Sequence, residues 1–192
     1  MKSTLAILAV AAVAAVAPAQ TVTFANVGAP AAVPDPNGGT PGTLSLSAYS
    51  CALSSGRSLV FELTGLPTGY QGNPPSPTAS EVIAFIIDVG PASLPGTSMG
   101  GATFFLPLTT PVILNPPTPA PLAPSSVYYI GPGDIVCPNG TFGGIGGNNR
   151  IGAKLDITTS YGPGLGTFSM QGALLDPNTG ALFTSNAVNF TM

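Results

Sequence analysis

The chain has 192 residues, of which only 6% are Asp, Glu, Lys or Arg, and its formal net charge is −3. An average soluble domain carries roughly 25% charged residues. Four scattered cations cannot neutralise a run of phosphates, which argues against nucleic acid and against an anionic membrane surface as partners.

The first 19 residues have the pattern of a secretory signal peptide. Lys2 precedes an apolar stretch over residues 5–17, and the stretch ends in Ala17-Pro18-Ala19, an A-x-A cleavage pattern. We therefore predict a signal peptide over residues 1–19 and a secreted or cell-surface location. No second apolar run of about 18 residues follows, so no transmembrane helix is predicted.

Short runs of alternating polar and apolar residues follow the signal and predict half-buried β-strands. In chain order, strands are predicted over residues 21–24, 43–47, 58–63, 81–89, 103–108, 112–114, 126–130 and 150–159. Residues 81–89 are almost all apolar and rich in Val and Ile, which predicts a central strand covered on both faces.

Alternation within two of these strands also predicts which side chains face the core. In the strand over 58–63, the inward positions are Leu59, Phe61 and Leu63, while Glu62 faces outward. In the strand over 150–159, the inward residues are Ile151, Ala153, Leu155 and Ile157, and the outward ones are Arg150, Lys154 and Asp156.

The C-terminal residues predict a β-hairpin. Two alternating runs, 166–175 and 181–190, flank Asp176-Pro177-Asn178-Thr179-Gly180. Proline presets the turn, Asp176 can accept hydrogen bonds from backbone N–H groups, and Gly180 supplies a positive φ.

Together these elements predict an all-β chain: a single antiparallel β-sandwich domain over residues 20–192, with jelly-roll and immunoglobulin-like topologies both open. Proline cannot donate to a strand ladder, so the proline-rich residues 107–124 are predicted to be edge strand or extended loop. The glycine-rich residues 131–147 are predicted to form a long surface loop.

The two cysteines, Cys51 and Cys137, predict one disulfide bond in an exported chain. A disulfide that closes so long a loop stabilises a fold by about 4–5 kcal/mol at most. The alternative is two separate buried thiols.

No catalytic residue is predicted. Residues 96–100 match G-x-S-x-G, but a nucleophile elbow needs a helix after the serine and a histidine to take its proton, and the chain contains no histidine. Glu62, Glu81, Asp88 and Asp156 could supply a glycosidase pair only if two of them lay close together. The strand pattern instead predicts solvated faces and strand ends for them, so no enzyme activity is predicted.

No metal site or cofactor is predicted. Asp35-Pro36-Asn37-Gly38 resembles the hairpin turn at residues 176–180, and the oxygens of both segments are suitable calcium ligands. Ordinary turn chemistry explains both segments, and calcium is kept as an alternative. Asn139 and Asn189 lie in glycosylation sequons.

Five tyrosines could stack on the sugar rings of a glycan. They would have to be exposed together on one sheet face to stack on sugar rings, and tyrosine more often packs in a sandwich core. The five are Tyr49, Tyr70, Tyr128, Tyr129 and Tyr161.

The C-terminal hairpin also resembles a known family. Residues 168–177 (FSMQGALLDP) and 184–188 (TSNAV) are similar to the C-terminal signature of a secreted β-sandwich module found in exported proteins of planctomycete-type bacteria. The resemblance implies an exported bacterial surface or extracellular module with no assigned catalysis.

The sequence therefore predicts a secreted structural or adhesive protein that acts through contacts with protein or glycan surfaces, self-association included. An extracellular carbohydrate-binding module is the first alternative. An outer-membrane β-barrel is the second, and the 22 prolines argue against its long strands.

Overall fold

A computed structural model describes residues 22–53, 56–70, 82–114, 126–130, 135–137, 140–141, 150–158, 164, 166–176 and 178–192. The predicted signal peptide (residues 1–19), Glu81, Asn139 and Tyr161 lie outside the described residues.

Within the described residues the chain forms β-strands and one 3₁₀ turn, Thr68–Tyr70. The strands are β1 (Thr23–Val27), β2 (Ala31–Val33), β3 (Gly42–Leu53), β4 (Gly56–Thr64), β5 (Val82–Val89), β6 (Thr97–Met99), β7 (Ala102–Phe104), β8 (Val112–Leu114), β9 (Ser126–Ile130), β10 (Ile135–Cys137), β11 (Gly140–Thr141), β12 (Arg150–Thr158), β13 (Thr167–Leu175) and β14 (Leu182–Thr191). None of the helices in the described part of the chain is long and apolar enough to cross a membrane.

The strands form two five-stranded antiparallel sheets. The first sheet has the order β1-β14-β13-β5-β8, and the second has the order β2-β3-β4-β12-β9. Two small hairpins, β6–β7 and β10–β11, stand beside them. The prediction of an all-β antiparallel fold is confirmed.

The main core lies between the two sheets, which gives the arrangement of a β-sandwich. From the second sheet, Leu59, Phe61 and Leu63 of β4 are fully buried, as the alternation predicted. Ile83 and Phe85 of β5 belong to the same core cluster and come from the first sheet. The rings of Phe61 and Phe190 pack against each other across the core, one from each sheet, with their centroids 5.1 Å apart.

The described side chains of strand β12 also follow the predicted pattern, whereas that of Arg150 lies outside the described residues. Ile151, Ala153 and Ile157 are buried in the main core, and Leu155 packs partly buried against it. Lys154 and Asp156 form a salt bridge, with 18% and 23% of their side chains exposed.

A second apolar cluster lies on the outer face of the first sheet, away from the main core. Ile86, Ala173 and Ala187 of the sheet pack there against Ala102, Phe104 and Leu106. The latter group belongs to residues 90–111, which we call the cover. Strand β5 is therefore buried on both faces, as predicted from its continuous apolar run.

Two predictions need correction. The strand predicted over 103–108 exists only as the short β7, because Pro107 cannot donate to a ladder and Leu108 has φ 55°. Residues 131–147 were predicted to be loop, but β10 and β11 pair within them. The proline-rich stretch does contain an edge strand, β8.

Candidate functional site

Buried amide side chains of the first sheet hold the cover in place. Gln171 of β13 is fully buried, and its Oε1 accepts the N–H of Phe105 at 3.1 Å. Its Nε2 donates to the carbonyl oxygens of Thr103 at 2.9 Å and Ser185 at 2.7 Å. The Thr184 hydroxyl donates to the same Thr103 carbonyl at 2.8 Å. The carboxamide thus joins backbone groups of the cover, at Thr103 and Phe105, to the first sheet.

Asn189 of β14 holds the start of the cover in the same way. Its Oδ1 accepts the N–H of Ala92 at 2.7 Å, and its Nδ2 donates to the Ala92 carbonyl at 3.2 Å. Glycosylation of the sequon would modify this amide nitrogen, which in the fold is already a hydrogen-bond donor to the cover.

Asp88, near the end of β5, holds the last part of the cover. Its carboxylate accepts the N–H of Thr109 at 2.9 Å, the N–H of Thr110 at 3.0 Å, and both threonine hydroxyls at 3.2 Å. It also accepts the N–H of Val89 at 2.8 Å. Asp88 is 2% exposed, so this candidate glycosidase carboxylate is a buried anchor.

The pKa of Asp88 reflects these contacts. Burial is the largest single influence and raises the pKa. The N–H groups of Thr110, Thr109 and Val89, with the Thr109 hydroxyl, lower the pKa, and their combined effect exceeds that of burial. The net pKa lies below the usual aspartate value. The carboxylate is therefore stabilised as an anion by hydrogen-bond donors alone.

The turn around Asp35 is held by the same chemistry. One carboxylate oxygen accepts the N–H of Asn37 at 2.8 Å, and the other accepts the Thr68 hydroxyl at 2.9 Å and the Gly69 N–H at 3.2 Å. Gly69 must be glycine here, because a Cβ at this position would lie 2.6 Å from Asp35 Oδ1. The Asn37 N–H is the main cause that lowers the pKa of Asp35.

The turn around Asp176 repeats the pattern and contacts the same 3₁₀ turn. Its carboxylate accepts the Thr179 hydroxyl at 2.7 Å and the Asn178 N–H at 2.9 Å, and these bonds, with one from the Tyr70 hydroxyl, lower its pKa. The Gly180 N–H donates to the Asp176 carbonyl at 2.7 Å, with Gly180 at φ 70°. The predicted hairpin turn is confirmed.

These contacts bear on the calcium alternative. All four carboxylate oxygens of Asp35 and Asp176 accept bonds from N–H or O–H donors. In the described part of the chain, no three His, Cys, Asp or Glu residues are grouped as a metal ion requires. The structure therefore favours the turn interpretation of both segments.

The remaining carboxylate candidates lie on the second sheet and are not brought together. Glu62 of β4 is paired with Gly152 of β12, and Asp156 lies four residues further along β12. At about 3.3 Å a residue, that offset is about 13 Å. Glycosidase pairs are separated by no more than about 9.5 Å.

Each of these two carboxylates has a partner of its own. Glu62 Oε1 accepts the Tyr49 hydroxyl at 3.3 Å. Asp156 accepts the Ser58 hydroxyl and lies 3.3 Å from Lys154 Nζ.

The tyrosines with described side chains do not form one exposed platform. Tyr49 is half-buried on β3 and bonded to Glu62, whereas Tyr70 is 5% exposed and packs in the main core. Tyr128 and Tyr129 lie on β9, and their side chains are outside the described residues.

The G-x-S-x-G match does not form a nucleophile elbow. Residues 97–99 are β6, and Gly100 and Gly101 turn directly into β7. The segment that follows the serine is thus a hairpin, whereas the elbow needs a helix.

The structure describes only one of the two cysteine side chains of the predicted disulfide, that of Cys51. Cys51 lies on β3 opposite Ser58, and β10, which contains Cys137, lies near β3 and β4. The side chain of Cys137 is outside the described residues, so the disulfide stays a prediction.

Sequence reasoning missed the amide anchors. Besides Gln171 and Asn189, Asn186 joins the two sheets: its Oδ1 accepts the Leu46 N–H at 2.9 Å and its Nδ2 donates to the Leu46 carbonyl at 2.8 Å. The available signal was amide residues within otherwise apolar strands, since a buried amide needs partners for both its oxygen and its nitrogen.

Comparison with protein-family models, with curated proteins and with solved structures finds no match for this chain.

Proposed function

We propose that this chain is a secreted, non-enzymatic structural or adhesive protein that acts through contacts of a nearly uncharged surface. The observation that carries the proposal is the surface beside the first sheet. From residue 89 to residue 114, which covers the end of β5, the cover and β8, the sequence contains no Asp, Glu, Lys or Arg. Within that stretch Leu94 is 68% exposed, Ile113 64%, Val89 58% and Met99 53%. Exposed aliphatic groups without neighbouring charge favour association with another surface.

The polar groups support the same proposal. The buried carboxylates and amides of the described residues bond to backbone donors and acceptors of the cover and the turns, and so hold the shape of the molecule. The two carboxylates on the second sheet are too far apart along their strands to act as a hydrolytic pair.

The location and covalent structure belong to this proposal. Residues 1–19 direct export to the cell surface or medium, where a Cys51–Cys137 disulfide can form. The disulfide would fasten β10 to the second sheet. The proposal also includes a single domain over residues 20–192 and membership of the bacterial surface modules that the C-terminal hairpin resembles. The intact mass of the secreted protein, measured before and after reduction, tests the disulfide; free thiols in fresh protein would contradict it.

The partner we propose is a protein or glycan surface, or a second copy of this chain. Fractionation of the native protein tests the role: we expect it in the cell-surface or matrix fraction. Sedimentation velocity at rising concentration then identifies self-association. Selective binding of one glycan structure on a glycan array would assign the protein to the carbohydrate-binding alternative. Free monomer in the medium, with turnover of an ester or glycoside, would overturn the proposal.

A further inference from the structure

We propose that Asp88 is an acid-sensitive latch that holds β8 on β5. When its carboxylate takes up a proton from solvent, residues 109–114 detach from β5 while the earlier part of the cover stays on the sheet. This inference does not depend on the proposed surface role.

The position of the donors couples Asp88 to β8. Apart from the adjacent Val89 N–H, the described donors to the carboxylate come from Thr109 and Thr110. Only Pro111 separates these residues from β8. Strand β8 pairs with β5 over three residues, Val112–Leu114, and forms the edge of the sheet. Leu114 at its far end packs partly buried against the main core, so the contacts of Thr109 and Thr110 hold the other end of this short strand.

Asp88 also has no other charged side chain around it in the described part of the first sheet and the cover. Among the described strands of the first sheet and the cover, it is the only ionisable side chain. Across the sheet it faces Ser169 of β13, and Asn189 of β14 lies beyond that serine. The loop before β8 presents threonine hydroxyls and N–H groups. None of these groups titrates in acid, so nothing compensates for loss of the carboxylate charge.

Protonation changes what Asp88 offers its partners. A charged acceptor makes hydrogen bonds roughly twice as strong as a neutral one. A protonated carboxyl group also carries an O–H donor, and the N–H groups that face it cannot accept a hydrogen bond. The Ser169 hydroxyl, opposite Asp88 in the strand register, is buried without a hydrogen-bond partner.

The rest of the cover has anchors that do not titrate. Asn189 holds Ala92 and Gln171 holds Phe105 and Thr103 through neutral amides. Because the pKa of Asp88 is below its usual value, the latch is closed at neutral pH. Its stabilising effect is complete above the unfolded-state pKa and is lost as the pH falls through the lower folded-state value.

Opening would uncover the edge of β5. Residues 82–87 of that strand are all apolar, and an unprotected apolar edge is a template for strand addition.

Amide hydrogen exchange followed by NMR tests the latch. Between about pH 6 and about pH 2.5, which brackets the ordinary aspartate pKa of about 3.9, we expect protection at Thr109 and Thr110 to fall at least about tenfold after correction for intrinsic rates. Protection at Ala92 and Phe105 should persist. Unchanged protection at both threonines, or an equal fall at all four amides, would overturn the proposal.

Variants separate the latch from general acid weakening. Asp88→Asn should show the fast exchange already at about pH 6 and no further acid response. Asp176→Asn is the matched control and should leave the acid response of Thr109 and Thr110 intact. A response in Asp88→Asn equal to that of the natural chain would contradict the latch.

A milder variant keeps the test open if Asp88→Asn does not fold. Replacing both Thr109 and Thr110 with valine removes two hydroxyl donors and leaves the carboxylate and the backbone donors. Fewer donors stabilise the anion less, so the opening midpoint should move to higher pH. An unmoved midpoint would count against the proposal.

Discussion

The outer faces of the two sheets solve the same problem with different chemistry. On the first sheet, the cover is fixed by neutral amides and one buried carboxylate, Gln171, Asn189 and Asp88. On the second sheet, the described contacts include a largely buried ion pair, Lys154 with Asp156, and the Tyr49–Glu62 bond. The difference teaches that a chain with little charge can fix a long segment that does not pair with the sheet by hydrogen-bonding side-chain amides to its backbone.

The largest effect is expected at Gln171. Gln171→Ala leaves two carbonyls and one N–H without the amide that pairs them, and should lower the free energy of unfolding by about 3 kcal/mol. Glu62→Ala on the second sheet is the control and should cost less than about 1 kcal/mol. Urea unfolding measures both, and equal losses would remove the distinction between the faces.

Asn189→Ala should loosen the start of the cover and cost about 1–2 kcal/mol. Protease cleavage within residues 90–101 should become faster, because Ala92 loses both of its side-chain bonds. Asn186→Ala breaks a bond between the sheets, so it should lower stability without selective cleavage there. Cleavage that is unchanged in Asn189→Ala would contradict this role.

Acid should weaken the two aspartate turns by a smaller amount. The pKa of Asp35 is lowered chiefly by the Asn37 N–H, and that of Asp176 chiefly by the Thr179 hydroxyl. Stability from such groups is complete above the unfolded-state pKa and is lost as pH falls through the folded-state pKa. The urea midpoint should therefore fall in acid, and fall less in the variant that carries Asp35→Asn and Asp176→Asn. Equal acid dependence in the variant and the natural chain would contradict this.

The smallest effect is expected for the ion pair of the second sheet. Lys154→Met should change the free energy of unfolding by about 0.5 kcal/mol or less, because Asp156 keeps its bond to the Ser58 hydroxyl and methionine keeps the apolar packing of the lysine stem. A loss above about 2 kcal/mol would show that the second sheet depends on charge as strongly as the first depends on amides.

Periodicity in the sequence predicted the parts of the fold that depend on which side of a strand is apolar. It assigned the faces of β4 and β12 and the double burial of β5, because alternation and continuous apolar runs directly reflect burial. Strands as short as β2 and β6 have too few residues to show a period. The strand predicted over 103–108 is shortened because Pro107 cannot donate to a ladder and Leu108 has a positive φ.

The anchors could not be predicted because their partners are backbone atoms far away in the chain. Gln171 bonds to Phe105, 66 positions away, and Asn186 bonds to Leu46, 140 positions away. Every residue has such backbone atoms, so no local pattern marks these partners. The sequence marked Asp88 only as a strand-end residue. Its threonine donors, Thr109 and Thr110, lie 21 and 22 positions further along the chain, where no local pattern connects them to Asp88.

Retention of the protein on the cell surface or matrix proposed for it tests most directly whether the uncharged surface beside the first sheet makes the contacts. A variant carrying Met99→Lys and Ile113→Lys adds charge beside the first sheet, and Ser47→Lys adds charge to an exposed position of the second. The account predicts that the double variant is released from that surface while Ser47→Lys is retained like the natural chain. Equal retention of all three proteins would contradict the claim that the uncharged side makes the contacts.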